Sequence, residues 1–312
     1  MRNKKITNSG IGYLYRHSIK KIKSGKSFLL KQWVILKNDK MALAGVVIIF
    51  FFLTIAVTAP WIAPYKPTER IYTANGTYAK YLPPSWEHPL GTTAQGMDIF
   101  SQLIYASRVT LLIGFSAGFF IAIIGTLIGT IAGYYGGIVD DILMRITDIV
   151  FGLPFLPTII LLVAFLGPGI FNFLFAISLL SWRSAARVIR SQVLTLKNQP
   201  YILAAKVAGA SNFRIIFKYI IPNVLPLTFL YGAFGVGWAI ITEAGVSFLG
   251  LGDPKLISWG TMLQEAMIFQ ALLFGAWWWF VPPGICIMLT VMAIFLIGRG
   301  YEEVLNPRLR EI

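Results

Sequence analysis

Charge is scarce in this chain of 312 residues: 13% of positions are charged, about half of the ~25% usual in a soluble domain. Hydrophobic residues make up 56% and mean hydropathy is +0.71, so a soluble globular protein is excluded and an integral membrane protein implied. Cysteine occurs once, Cys286 in the last apolar run, which rules out an internal disulfide and suits a small packing residue. Histidine occurs twice, His17 and His88, and no H-E-x-x-H or Cys/His cluster suggests a metal enzyme. A cleavable signal peptide is not evident. The first apolar run follows forty mostly polar residues and is long enough to span and stay. No internal repeat or low-complexity stretch stands out.

Acids are also few, 13 against 27 Lys and Arg, for a net charge of +14. Nucleic acid is not the implied partner, because the excess is segregated. Residues 1–40 hold eleven Lys and Arg (Arg2, Lys4, Lys5, Arg16, Lys20, Lys21, Lys23, Lys26, Lys31, Lys37, Lys40) and one acid, Asp39. Arg183, Arg187, Arg190, Lys197, Lys206, Arg214 and Lys218 form a second basic group with no acid among them, whereas 64–105 balances Lys66, Arg70 and Lys80 against Glu69, Glu87 and Asp98. This is the positive-inside bias of a membrane protein, and the basic tail suits contact with anionic lipid.

Apolar runs near the ~20 residues of a span cover 41–65, 109–139, 149–182, 219–242 and 266–298. The third is too long for one crossing and is broken by Gly167-Pro168-Gly169, giving two helices joined by a tight turn. In the last, Trp277-Trp278-Trp279 reads as an interfacial belt and 266–280 as a lateral outer segment before a span over 281–298. The expected fold is all-α, with six transmembrane helices and both termini cytoplasmic. Arg145 and Asp148, three apart, are placed to pair on one helix face. The second span carries small residues in two tracks, Gly114, Gly118 and Ala122, then Gly125, Gly129 and Gly133. Such tracks serve close helix packing in lipid, within this chain or against a second membrane subunit. Glu243 ends an uncharged run; counted from Leu225 it lies roughly 27 Å along the helix, so it either reaches the interface or faces a pathway.

Two enzyme signatures fail. Ser24-Gly25-Lys26-Ser27 ends like a phosphate loop, but Lys20 stands where the pattern needs glycine. Gly114-Phe115-Ser116-Ala117-Gly118 matches G-x-S-x-G, yet Ser116 lies in an apolar helix rather than the strand-to-helix turn of a nucleophile elbow. With His88 on the same side, an intramembrane serine hydrolase remains an alternative.

The most informative stretch is YILAAKVAGASNFRIIFKYIIP, residues 201–222: amphipathic, basic, without an acid, between two apolar runs. Residues 201–213 suit a short helix, with Pro200 in its first turn and Gly209 allowing a bend or a close approach of another backbone. It reads either as an ordinary interfacial helix or as a part made to be held by a partner.

Four blocks add a resemblance running along most of the chain. HPLGTTAQGMDIFSQLIYASRVTLLIG (88–114), AGYYGGIVDDILMRITDIVFGLP (132–154), AAKVAGASNFRIIFKYIIPN (204–223) and EAGVSFLGLGDPKLISWGTML (243–263) resemble, in order, the C-type permease subunits of dipeptide, oligopeptide or nickel ABC importers. Leu203 departs from the glutamate common in the loop motif, Met97 and Gln102 from arginines, and Thr93 from an aspartate. The resemblance implies a type I importer permease fold: a cytoplasmic tail (1–40), a first transmembrane helix (41–65), an extracytoplasmic loop (66–105), a five-helix core (106–300) with a coupling loop (199–222), and a cytoplasmic C-terminal tail (301–312). It implies that Tyr201, Ala204, Ala205, Gly209, Ala210, Ser211 and Phe213 couple to an ATPase. The resemblance implies that the chain lies in the cytoplasmic membrane among its lipid, with no cofactor of its own, and that its partners are a homologous B-type permease, one or two cytoplasmic ATPases carrying ATP and Mg, and an extracytoplasmic binding protein. The cargo implied is peptide, with nickel chelates or oligosaccharides as alternatives. A proton-coupled secondary transporter is the remaining functional alternative, disfavoured by the few candidate proton-relaying acids.

Overall fold

The computed structural model describes residues 39–305; the basic tail, the Ser24–Ser27 motif, His17 and most of the C-terminal tail lie outside them. Among the described residues the regular structure is helical. It comprises α1 (Lys40–Ile62), α2 (Ile99–Tyr135), α3 (Gly137–Gly152), α4 (Phe155–Leu166), α5 (Ile170–Ser181), α6 (Arg183–Leu196), α7 (Pro200–Val207), α8 (Asn212–Ile215), α9 (Ile221–Val246), α10 (Trp259–Ile268) and α11 (Trp277–Leu305). A π-turn at Ile216–Ile220 joins α8 to α9 and another at Ser247–Leu251 extends α9, giving one rod over Asn212–Leu251. Among the described residues four helices are long and apolar enough to cross a membrane, α1, α2, the Asn212–Leu251 rod and Trp277–Glu302 of α11, or five if the bent pair α3–α4 is one span.

Several boundaries differ from the sequence expectation. α2 begins at Ile99 rather than near 109, so part of the expected 66–105 loop is helical. The cause is Asp98, whose carboxylate accepts from Ser101 N at 2.7 Å as the N-cap. It also takes a 3.0 Å hydrogen bond with His88 Nδ1 in a buried pair. The expected span over 149–166 is instead a pair of helices, α3 and the 12-residue α4, bent by 90°. Pro154 forces this, because the residue before a proline is pushed out of the helical region, and Leu153 is extended at φ −77°, ψ 130°. The turn at 167–169 does join two helices, with Gly167 and Gly169 at positive φ and Asn172 Nδ2 donating to the carbonyls of Leu166 and Gly167. At roughly 18 Å apiece, α4 and α5 are short of a ~30 Å bilayer core. The tryptophan belt is also corrected: Trp277 is exposed, but Trp279 is fully buried against Phe269 and Tyr81, since successive helical residues point about 100° apart.

The glycine tracks pack within the chain. A Cβ on Gly114 or Gly118 would come within 2.6 or 2.4 Å of Ile240 and Val236 of α9. On Gly125, Gly129 and Gly133 it would come within 2.5, 2.5 and 2.8 Å of Ala185, Ala186 and Arg190 of α6. α2 is therefore held between α9 and α6 along its length. Both ends of the described chain meet, because a Cβ on Gly300 would lie 2.6 Å from that of Ala42. At this same end α3 turns its acids toward α6. Arg190 makes a two-pronged pair with Asp140, and Asp148 pairs with Arg187 rather than with Arg145 in its own helix. Ser116 sits in mid-α2, about 27 Å along the helix from Asp98, the residue that holds His88. No dyad of Ser116 with His88 can form there.

Candidate functional site

The segment 199–222 lies at the end where the chain's two ends meet. Gln199 caps α7 in an extended conformation and Pro200 occupies its first turn, where a missing N–H costs nothing. The helix stops after two turns in a Schellman turn. The N–H of Ala210 donates to the carbonyl of Ala205 at 3.0 Å, and that of Gly209 to Lys206 at 3.1 Å. Gly209 stands at φ +79°, in the left-handed region that an L side chain enters at a cost of roughly 1–2 kcal/mol. Nothing in this chain approaches its Cβ position within 4 Å, so the glycine is required by the turn. Ser211 then caps α8, its hydroxyl accepting from Arg214 N.

This short helix, turn and helix is anchored on one side only. Ile202, Ile215, Ile220 and Val224 are buried with Ile189, Val193 and Leu196 of α6. Tyr134 of α2 donates to Asn212 Oδ1 at 2.8 Å, and Lys197 Nζ to the carbonyl of Gly133 at 2.8 Å. The other side is open and apolar: Tyr201, Leu203 and Phe217 are about half exposed, Phe213 is 70% and Val207 90% exposed. Ala204 and Ser211 are exposed with them, and Ala205 and Ala210 are partly covered. The rings of Phe213 and Phe217 lie 4.3 Å apart, and Lys206, Arg214 and Lys218 are interspersed. Exposed apolar side chains interleaved with cations suit an interaction surface or an interfacial helix. Leu203 is part of it, so the position that resembles a glutamate site contributes area rather than charge. Val207 and Phe217 were not singled out from the sequence; their exposure is set by the handedness of the Gly209 turn, which no residue pattern displays.

The face is continuous with the rest of the molecule. Pro222 lacks the N–H that would close on Lys218, and the ladder widens so that Ile221 N–H reaches Ile216 O. At the far end of the same rod, Glu243 is buried. Its Oε1 accepts from Ser247 Oγ at 2.8 Å and from Ser258 Oγ, the N-cap of α10, at 2.6 Å. Its Oε2 is buried without a hydrogen-bond partner, and the residue lines a small cavity bordered by Val163, Gly169 and Phe173. The departures in the first block also have a physical reading. Thr93 Oγ1 accepts from Gln95 N and Met97 N, as an aspartate would in that turn. Met97 and Gln102, both in place of arginines, touch each other through Nε2 and Sδ at 3.1 Å.

Residues 125–311 match the family described as binding-protein-dependent transport system inner membrane component, and residues 27–84 match the N-terminal transmembrane domain of oligopeptide transport permease C. The chain is 37% identical over 285 residues to the dipeptide transport system permease protein DppC of Bacillus subtilis, covering 91% of this chain and 87% of that one. It is 37% identical to the oligopeptide transport system permease protein OppC of the same organism, over 88% of each. The dipeptide transport system permease protein DppC of Escherichia coli K12 is 38% identical, over 89% of this chain and 93% of that one.

Proposed function

The chain belongs to the family of binding-protein-dependent transport system inner membrane components, and we propose that it serves as one of two permease subunits in an ATP-driven peptide importer. It carries no catalytic chemistry of its own; ATP and Mg belong to separate ATPase subunits. The peptide cargo is drawn from the names of its relatives. Its partners are a homologous B-type permease, one or two cytoplasmic ATPases and an extracytoplasmic binding protein.

The observation that carries the reading is the exposed apolar face of α7 and α8 on a rigid, glycine-capped turn. An ATPase holding that face gains a lever. α8 is continuous with α9 through the π-turn, and α7 rests on α6, which is locked to α2 by the Gly125–Gly129–Gly133 track. Closure of the ATPases moves this joint and switches the membrane helices between two arrangements. Glu243, at the other end of the rod, is the candidate pathway residue where that motion reaches α10.

Val207→Glu and Phe213→Glu test the reading. Each places a carboxylate in the centre of the face without touching the buried anchor. Expected are normal insertion and pairing with the second permease, but at least tenfold less ATPase in affinity pull-downs and a matching loss of labelled dipeptide uptake. Wild-type ATPase recovery from both variants would overturn the docking assignment.

A further inference from the structure

Three arginines follow one another along α6, and two have counter-ions. Arg187 pairs with Asp148 and Arg190 with Asp140. Arg183 has none: among the described residues no carboxylate lies within ion-pair distance of it. One of its N–H groups donates to the Val150 carbonyl at 3.0 Å, and the guanidinium lies 4.8 and 5.4 Å from the ring centres of Phe151 and Phe155. A guanidinium carries five N–H donors, so this arrangement holds the group in place and leaves donors free.

Arg183 also lines a cleft of about 450 Å³ bordered by α2, α4, α5, α6, α9 and α11, within the ~300–1,000 Å³ range of small-ligand sites. Its walls are largely aromatic, with Phe155 and Trp238 5.6 Å apart and Tyr231 nearby. Ser181 also borders it, and its hydroxyl is buried without a hydrogen-bond partner. An unmatched cation beside an apolar cleft is costly, and an anionic ligand group entering the cleft would relieve that cost. A carboxylate matches the guanidinium fork.

We propose that this cleft receives the terminal carboxylate of the transported peptide, with Arg183 as the specificity-determining residue. The assignment rests on the peptide-import reading above. The aromatic walls take the adjoining side chain with little demand on its identity, as a carrier of varied peptides requires.

The test uses the full complex in proteoliposomes, comparing uptake of Ala-Phe with that of its C-terminal amide. R183Q is expected to raise the KM for Ala-Phe about 10–100-fold, the scale of a lost charge-assisted hydrogen bond, and to leave the amide where wild type has it. R183K, which keeps the charge without the fork, should fall between, and it is read in place of R183Q should the latter not assemble. Benzoylphenylalanine at position 155 in the complex without binding protein should cross-link Ala-Phe in the Arg183 background and not with R183Q. An equal loss for acid and amide with the cross-link retained would make Arg183 structural and sink the assignment. So would an acid-to-amide ratio untouched by R183Q while the wild type's preference for phosphatidylglycerol over phosphatidylcholine vesicles disappears, which would give the cleft to a lipid phosphate. A wild-type complex that imports neither peptide overturns the peptide reading itself. Import of both by wild type and R183Q alike overturns this assignment alone.

Discussion

Gly209 concentrates two demands that substitutions can separate. Its φ of +79° makes a Cβ costly by roughly 1–2 kcal/mol, while the space around it is open within this chain. A bend alone would tolerate asparagine, which enters the left-handed region most readily after glycine. Close approach by a partner would not tolerate tryptophan. Gly209→Asn is therefore expected to keep at least half of wild-type uptake. Gly209→Ala should fall below it, despite being smaller, because alanine lacks the local hydrogen bonds that ease that conformation. Gly209→Trp should insert and pair normally yet lose ATPase co-purification and uptake. The ranking of the three in dipeptide uptake, at equal membrane abundance, decides it: wild-type behaviour of the tryptophan variant would show that no partner backbone comes near.

The helices show what residue patterns convey and what they hide. α2 is gripped on two faces through glycines: those toward α6 would meet backbone or the Ala185 Cβ, where a rotamer change brings no relief, whereas Gly114 would meet the side chains of Ile240 and Val236. Gly129→Ala places a methyl 2.5 Å from the Ala186 carbonyl oxygen and should destabilise the protein by about 1–3 kcal/mol. Gly284→Ala in α11 meets nothing within 4 Å and should be neutral or stabilising by up to about 1 kcal/mol through reduced chain entropy. Opposite signs in detergent melting temperature check the pair; parallel shifts would deny the packing. The four-residue spacing of these glycines announced close packing, and apolar length announced α1, α2, the long rod and α11. The spacing left the partner helices open, because a track of small residues looks the same whichever neighbour fills it. Helix ends were less legible. Asp98 begins α2 early through a side-chain cap, and Pro154 turns an apolar run through 90°; composition averages over both. At the docking segment, the Ala204-Ala205…Gly209 spacing made the turn readable. The lack of a counter-ion for Arg183 was not, since it depends on α3 folding back to serve only its two neighbours.

Across the whole molecule, the placement of charge predicts orientation. The α7–α8 segment, the arginines of α6 and both ends of the described chain lie together, and the charge-balanced segment between α1 and α2 lies at the opposite end, where Tyr81 donates to the Phe269 carbonyl ahead of α11. Basic loops stay on the cytoplasmic side during insertion, so α7 is expected inside and residues 63–98 outside. In a Cys286→Ser background, Thr77→Cys and Lys206→Cys report these two ends, since both side chains are exposed and the side-chain hydrogen bond that Thr77 makes is a local one, with Thr73 Oγ1 at 2.8 Å. An impermeant thiol reagent applied to intact cells should label position 77 and spare 206. Permeabilised membranes should label both, with 206 gaining further when the ATPases are stripped away, because the docking face then loses its cover. That last increment separates orientation from occupancy: labelling at 206 that rises on permeabilisation but ignores ATPase removal would keep the topology and leave the face without its partner. Labelling of 206 but not 77 in intact cells would invert the molecule and put the α7 face beyond the reach of any ATPase.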